Sequence, residues 1–318
     1  MRPILLGLLH SLHRDRVSRF GGYENITLWD LAREFLQNDG HSGVCFEYAV
    51  HDAVRRADPL VMEPVEDVLT RLCNIDGDQT SSILFGAEKA GSLRLVETAK
   101  EVLTPDSVLL YGGQGRPVLL RQHIDEVATA FRTRGSTKLP RSIAELWKAD
   151  LFLGRTDTDR WVGTSVKINA DRLEGARGLR VGIVPAKRNS DAPYLDERRN
   201  LAVCPLRQDG AFMEVFDRAW WAILWFLDAD AKELGERRLP WNPERQLIKL
   251  LAAHRETPVV DAVDQVLRPI AQPELLATKP VESTLEEPDL GEEAESSQAL
   301  HQPVVAGAVV APVPQATD

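Results

Sequence analysis

The sequence predicts an α/β protein in which a small β-sheet is flanked by helices. Three observations lead there: helical spacing fills both ends of the chain, a cluster of short apolar runs bounded by turn residues occupies 149–205, and an acidic segment without hydrophobic period closes the chain. With 318 residues, 43% hydrophobic and 27% charged, the chain can bury a sizeable core and has the composition of a globular protein.

Taken in order, MRPILLGLLHSLHRDR reads as an amphipathic helix whose apolar patch is broken by Gly7, rather than as a signal peptide. ITLWDLAREFLQNDG is a helix ended by Gly40. HSGVCFEYAVHDAVRRAD is a second, with Ser42 as N-cap and Pro59 blocking its continuation, and MEPVEDVLTRLC is a third. The polar turn NIDGDQTSS follows. SVLLY at 107–111 is a short strand, YGGQGRP a turn, and VLLRQHIDEVATAF at 118–131 returns to helical spacing. SIAELW adds one or two helical turns. ADLFLG and WVGTSVKIN are strands joined by the turn RTDTD, and LRVGIVP (179–185) and LAVCP (201–205) are two more, with a polar loop between them. A long helix from about Phe212 to Leu234 and two shorter ones, ERQLIKLLAAHR and PVVDAVDQVLRPI, complete the body.

Residues 1–271 therefore read as one domain and 272–318 as a disordered acidic tail. The tail is rich in Pro, Glu, Ser and Ala and holds nine acidic residues against Lys279. Most of the net charge of −10 lies there, so the near-neutral body can hold a basic groove. Cys45, Cys73 and Cys204 are widely spaced without a CxxC pair, which suits a reducing cytoplasm and offers no zinc site. The most apolar run, AWWAILWFL at 219–227, is too short to cross a bilayer. A cytoplasmic protein without a membrane partner is expected.

Alternation locates the chemistry. In WVGTSVKIN, Val162, Val166 and Ile168 take one face, while Trp161, Gly163, Ser165 and Lys167 take the other. In ADLFLG, Asp150 and Phe152 lie opposite Ala149, Leu151 and Leu153. If the hairpin aligns the two apolar faces, Asp150 and Lys167 share the remaining, polar one. A charge inside a strand is costly unless it is paired or has chemical work. Two readings stand: a structural cross-strand ion pair, or a site for metal-dependent phosphodiester hydrolysis. In the second, the aspartate holds a hard cation and the lysine serves the attacking water or the transition-state charge.

A helix with Glu (GVCFEYAVHDAV), a strand with Asp (KADLFLG), a turn, and a strand ending x-Lys (TSVKIN) resemble the restriction-endonuclease-like, PD-(D/E)XK, nuclease superfamily. The resemblance covers roughly residues 42–56 and 107–205. It implies a restriction-endonuclease-like core with a small mixed sheet, and hydrolysis of DNA with Mg²⁺ or Mn²⁺. It also implies a role in restriction or anti-phage defence, as a homodimer or with a defence-system partner protein. By the same resemblance Asp150 is the principal metal ligand, Glu47 the helix acid that assists it, Lys167 the catalytic lysine, and Lys148 a recurring companion. The chain departs from the family where an acid should stand two residues before the lysine. There it has Ser165, and Glu174, with Asp171 second, is the substitute for the missing carboxylate. Without a substitute, the fold would serve as a silent DNA-binding or assembly subunit.

Arg172, Arg177, Arg180, Lys187 and Arg188, with Arg198 and Arg199, follow the lysine strand on loops expected to rim the site and meet phosphates. His51, one turn after Glu47, reads as a solvent-side histidine. Trp220, Trp221 and Trp225 read as core rather than as a base-stacking platform. YGGQGRP lacks the Lys-Ser/Thr of a phosphate loop, and no GxSxG elbow supports serine hydrolase chemistry.

Overall fold

The computed structural model describes residues 1–35, 41–85, 99–110, 118–124, 126, 149–173, 178, 180–187, 190–208, 210–235, 239 and 242–267. All of these fall within one compact unit, Met1–Leu276. The acidic tail expected at 272–318, the turn YGGQGRP and the segment SIAELW lie outside the described residues.

Five helices precede the sheet: α1 (Arg2–Ser11), α2 (Arg14–Arg19), α3 (Leu28–Glu34), α4 (His41–Arg55) and α5 (Pro59–Asp67). Three follow it: α6 (Ala211–Asp228), α7 (Asn242–Ala253) and α8 (Val259–Leu267). Their ends follow local chemistry. Thr27 opens α3 through a capping box, accepting from the Asp30 amide at 3.1 Å while the Asp30 carboxylate accepts from the Thr27 amide at 3.1 Å. α4 starts at His41, so Ser42 lies within its first turn and is not the cap expected from sequence. Pro59 opens α5 beside the Asp58 cap, where its missing N–H costs nothing. α5 runs into a π-helical turn, Val68–Leu72. α6 stops at Asp228, short of the expected Leu234, and the chain turns sharply there through left-handed Asp230 and Ala231, φ 60° and 54°.

The strands are β1 (Thr80–Leu84), β2 (Val108–Leu109), β3 (Val118–Leu119), β4 (Leu151–Arg155), β5 (Arg160–Val166), β6 (Arg180–Pro185), β7 (Tyr194–Asp196) and β8 (Leu201–Leu206). They form a mixed, open, eight-stranded sheet in the order β1-β4-β5-β6-β8-β7, with β2 and β3 branching from the start of β5. β4 runs antiparallel to both β1 and β5, whereas β5, β6 and β8 are mutually parallel. Three strands escaped the sequence reading. β1 hides in the polar run TSS, β3 opens the segment read as helical from 118, and β7 sits within the loop between β6 and β8.

Both faces of the sheet are covered. Leu151, Leu153, Val162, Val166, Val181 and Ile183 belong to the large core shared with the helices. On the other face Phe152 and Trp161 join Ile83, Phe85 and Leu109 in a second, smaller core. The face expected to be polar is thus apolar along most of its length, and its polar residues are confined to one end. Cys45, Cys73 and Cys204 are buried free thiols, and burial pushes the Cys73 thiol up to about 12. Among the described residues no helix is long and apolar enough to cross a membrane.

Gly7 is not a break in α1. It is the point where α1 meets α4: a Cβ there would lie 2.8 Å from the Cys45 Cα, a backbone atom that cannot yield cheaply. Gly7→Ala is therefore expected to destabilise the fold by about 1–3 kcal/mol through overpacking, although alanine is the better helix former by about 1 kcal/mol. A urea-denaturation midpoint lower than that of the wild type would report it.

Candidate functional site

β4 and β5 pair with Leu151 opposite Thr164, which puts Asp150 opposite Ser165 one step beyond the strand end. The Asp150 backbone is held on both sides. Its N–H donates to the Thr164 carbonyl at 2.8 Å, and its own carbonyl accepts from the Phe85 amide at 2.8 Å. Lys167 directly follows β5, and its N–H donates to the Ile183 carbonyl of β6 at 3.0 Å. Neither residue lies within a strand proper, yet sheet hydrogen bonds hold both in place.

The side chains converge. The Lys167 ammonium donates to Asp150 Oδ2 at 2.7 Å and lies 3.4 Å from Glu47 Oε1. Glu47 comes from α4, between the core residues Phe46 and Tyr48, and so tucks against the sheet. Asp150 Oδ2 also accepts from the Val166 amide at 2.9 Å and the Ser165 hydroxyl at 3.1 Å. The side chains of Asp150 and Glu47 are only 8% and 11% exposed, whereas that of Lys167 is 30% exposed, so solvent reaches the trio from the ammonium side.

Burial opposes the charge on Lys167, but Asp150 and then Glu47 outweigh it and hold its pKa above the ordinary lysine value. The lysine is thus a firm cation at neutral pH. Ser165 leaves the trio with two carboxylates and one ammonium, a local charge of −1. An acid at that position would put a further negative charge beside Asp150.

Asp150, Lys167, Ser165 and Glu47 are therefore brought together. Glu174, Lys148, Arg177 and Arg188 lie outside the described residues. Asp171 and Arg172 are exposed on the short 3₁₀ turn Ala170–Arg172 shortly after Lys167, and Lys187 is exposed just after β6. Arg180 is the first residue of β6, within the strand expected at 179–185, and is 5% exposed between Gly163 and Leu201, so it is not one of the loop cations expected to rim the site. Arg199 is engaged by Asp196 at 2.6 Å. His51 is not a solvent-side histidine either. Its Nδ1 lies 3.0 Å from Ser82 Oγ on β1, and burial lowers its pKa to about 4, so it is neutral. Its partner was hidden because β1 was. Of the tryptophans, Trp220 and Trp225 pack on the core, but Trp221 is 54% exposed.

Asp150 and Glu47 offer the hard oxygen donors that Mg²⁺ takes, and Mg²⁺ characteristically uses one or two carboxylates with waters and substrate phosphate completing its shell. Among the described residues no group of three or more His, Cys, Asp or Glu is gathered, so this pair is the donor set the described site provides. No protein-family model matches the chain, and neither does any curated protein or solved structure.

The raised pKa of Lys167 has a definite consequence. A group that binds its proton more tightly in the folded state contributes stability that is complete below its unfolded pKa, about 10.4 for lysine, and lost as pH rises through the folded value. The stability advantage of wild type over Lys167→Met, read from urea midpoints across a pH series, should be constant through neutral pH and shrink above about pH 10.

Proposed function

We propose that this chain is a metal-dependent endonuclease of restriction-endonuclease-like core that hydrolyses DNA phosphodiester bonds, using Mg²⁺ or Mn²⁺, in restriction or anti-phage defence. The observation that carries this reading is the meeting of Asp150, Lys167 and Glu47. They come from two adjacent strand ends and one helix, in the sequence order of the superfamily that the motifs resemble.

Asp150 and Glu47 would hold the cation, which when bound supplies Lewis acidity toward a phosphoryl oxygen and a more acidic water. Ser165 and the Val166 amide fix the Asp150 carboxylate, so that its orientation does not depend on the metal. Lys167, being protonated, serves best by offering its ammonium to charge that develops on the phosphoryl oxygens, rather than by removing a proton from water. Arg172 and Lys187, exposed near the lysine end of the sheet, suit the phosphate contacts that position a duplex.

A second reading has its own observation. Asp150 Oδ2 already takes three donors and the ammonium closes the trio, which also suits a silent member of the fold acting as a DNA-binding or assembly subunit. Plasmid cleavage with Mg²⁺ or Mn²⁺ separates the two. Wild type should cut, and Asp150→Ala and Lys167→Ala should each lose about 100-fold or more. Metal-dependent cutting that survives both substitutions sinks the site assignment; DNA binding without cutting favours the silent subunit. In binding titrations against salt, Arg172→Ala should weaken affinity across unrelated sequences and reduce the slope of log K on log salt by about one.

A further inference from the structure

Outside the carboxylate–lysine trio, the structure contains a cavity of about 390 Å³ between α1, α4, β1 and α8, within the range of small-molecule sites. Two helices line it with mostly polar residues at helical spacing. α1 presents Arg2, Leu6 and His10 at intervals of four, and α4 presents Tyr48, His51 and Arg55 at intervals of three and four. These stripes overlap the main core at Tyr48, which belongs to it, and at Leu6, which packs against it, whereas Ile4, Leu5, Leu8 and Leu9 of α1 face that core without lining the cavity. Each helix thus serves two interiors, one apolar and one mixed.

The cavity has three chemically different parts. Its aromatic wall is the His10 and Tyr48 pair, whose rings lie nearly parallel at 7° with centroids 5.8 Å apart. Its polar edge is His51 with Ser81 and Ser82, a neutral imidazole beside two hydroxyls, able to both donate and accept. Ala99, Val102, Val260 and Val263 supply its aliphatic lining. The charge at its opening is biased. The lining carboxylates are already engaged, Asp264 by Arg2 at 2.9 Å and Asp52 by Arg56 at 2.8 Å. Arg55, exposed and lining the same cavity, makes no ion pair among the described residues.

We propose that this cavity is a binding site for a nucleoside monophosphate, with the base among His10, Tyr48, His51 and Ser82 and the phosphate at Arg55. A flat heterocycle suits a lining that combines aromatic rings with small aliphatic residues. Its ring nitrogens and exocyclic groups need an edge that donates and accepts, which the imidazole and hydroxyls provide. The monophosphate places its charge where the guanidinium stands, at the solvent side. The site is separate from Asp150 and Lys167, and α4 links the two by carrying Glu47 of the trio next to Tyr48 of the cavity.

Calorimetric titration of the full chain in EDTA tests this without calling on nuclease activity, so its outcome is independent of the cleavage assay. The probes are AMP, GMP, CMP and UMP, their parent nucleosides, and inorganic phosphate. At least one monophosphate should bind saturably at one site per chain, its nucleoside roughly tenfold more weakly, and phosphate alone without saturation. Arg55→Glu, a change at an exposed position that leaves packing intact, should weaken the monophosphate by about tenfold or more and leave the nucleoside unaffected. His51→Leu should weaken both. The proposal is overturned if no monophosphate binds saturably, if phosphate alone binds as tightly, or if both variants bind like wild type.

Discussion

The register of β4 on β5 is the constraint on which the candidate site depends. The hydrogen bond from the Asp150 amide to the Thr164 carbonyl fixes Asp150 opposite Ser165, with the Val166 amide and the Lys167 ammonium both within reach of the same carboxylate oxygen. Side chains alternate with a period of two along a strand, so a slip of one residue would send Asp150 to the opposite face and dissolve the trio. The register is itself secured by burial on both sides. Leu153 opposite Val162 belongs to the large core, while Phe152, its neighbour along the strand, belongs to the smaller one. The apolar residues that carry no chemistry therefore hold the chemical ones in place.

β4 ends in a charge at each terminus, and the two differ in a way that separates scaffold from site. At the far end Arg155 pairs with Glu66 at 3.1 Å and donates to the Thr80 hydroxyl, with its side chain only 4% exposed. There the guanidinium is covered while the carboxylate of Glu66 is 39% exposed, and the pair joins the sheet to α5. At the near end, the ammonium of Lys167 is partly open to solvent while its carboxylate partners are covered. A buried ion pair is weak evidence for a stability role, because desolvation offsets much of the Coulombic gain. A half-open pair with shielded carboxylates can exchange its cation.

Ser165 shapes the balance of this arrangement. Its hydroxyl donates to Asp150 and adds no charge, so the two carboxylates face one ammonium and the trio keeps a single net negative charge. The same α4 that brings Glu47 to the trio brings Tyr48 and His51 to the neighbouring cavity, so one helix supports two polar environments within a few residues.

The sequence by itself determined the α/β class, the helices at either end, the β4–turn–β5 hairpin, and the shared face of Asp150 and Ser165 with Lys167 beyond it. These are legible because hydrophobic period and turn residues are local properties. Glu47 was legible only through the resemblance of its helix motif, GVCFEYAVHDAV. Only the tertiary structure decided what covers the second face of the sheet, since Phe152 and Trp161 find their partners in β1 and β2, far away in the chain. It alone revealed β1, whose polar TSS run becomes a strand because Ile83 and Leu84 pair with Phe152 and Leu151. With β1 came the partner of His51 and the wall of the cavity. It also showed that Arg180, within the expected strand 179–185, is buried between Gly163 and Leu201 and so does not rim the site, because burial is set by the neighbouring strands and not by the residue's own composition.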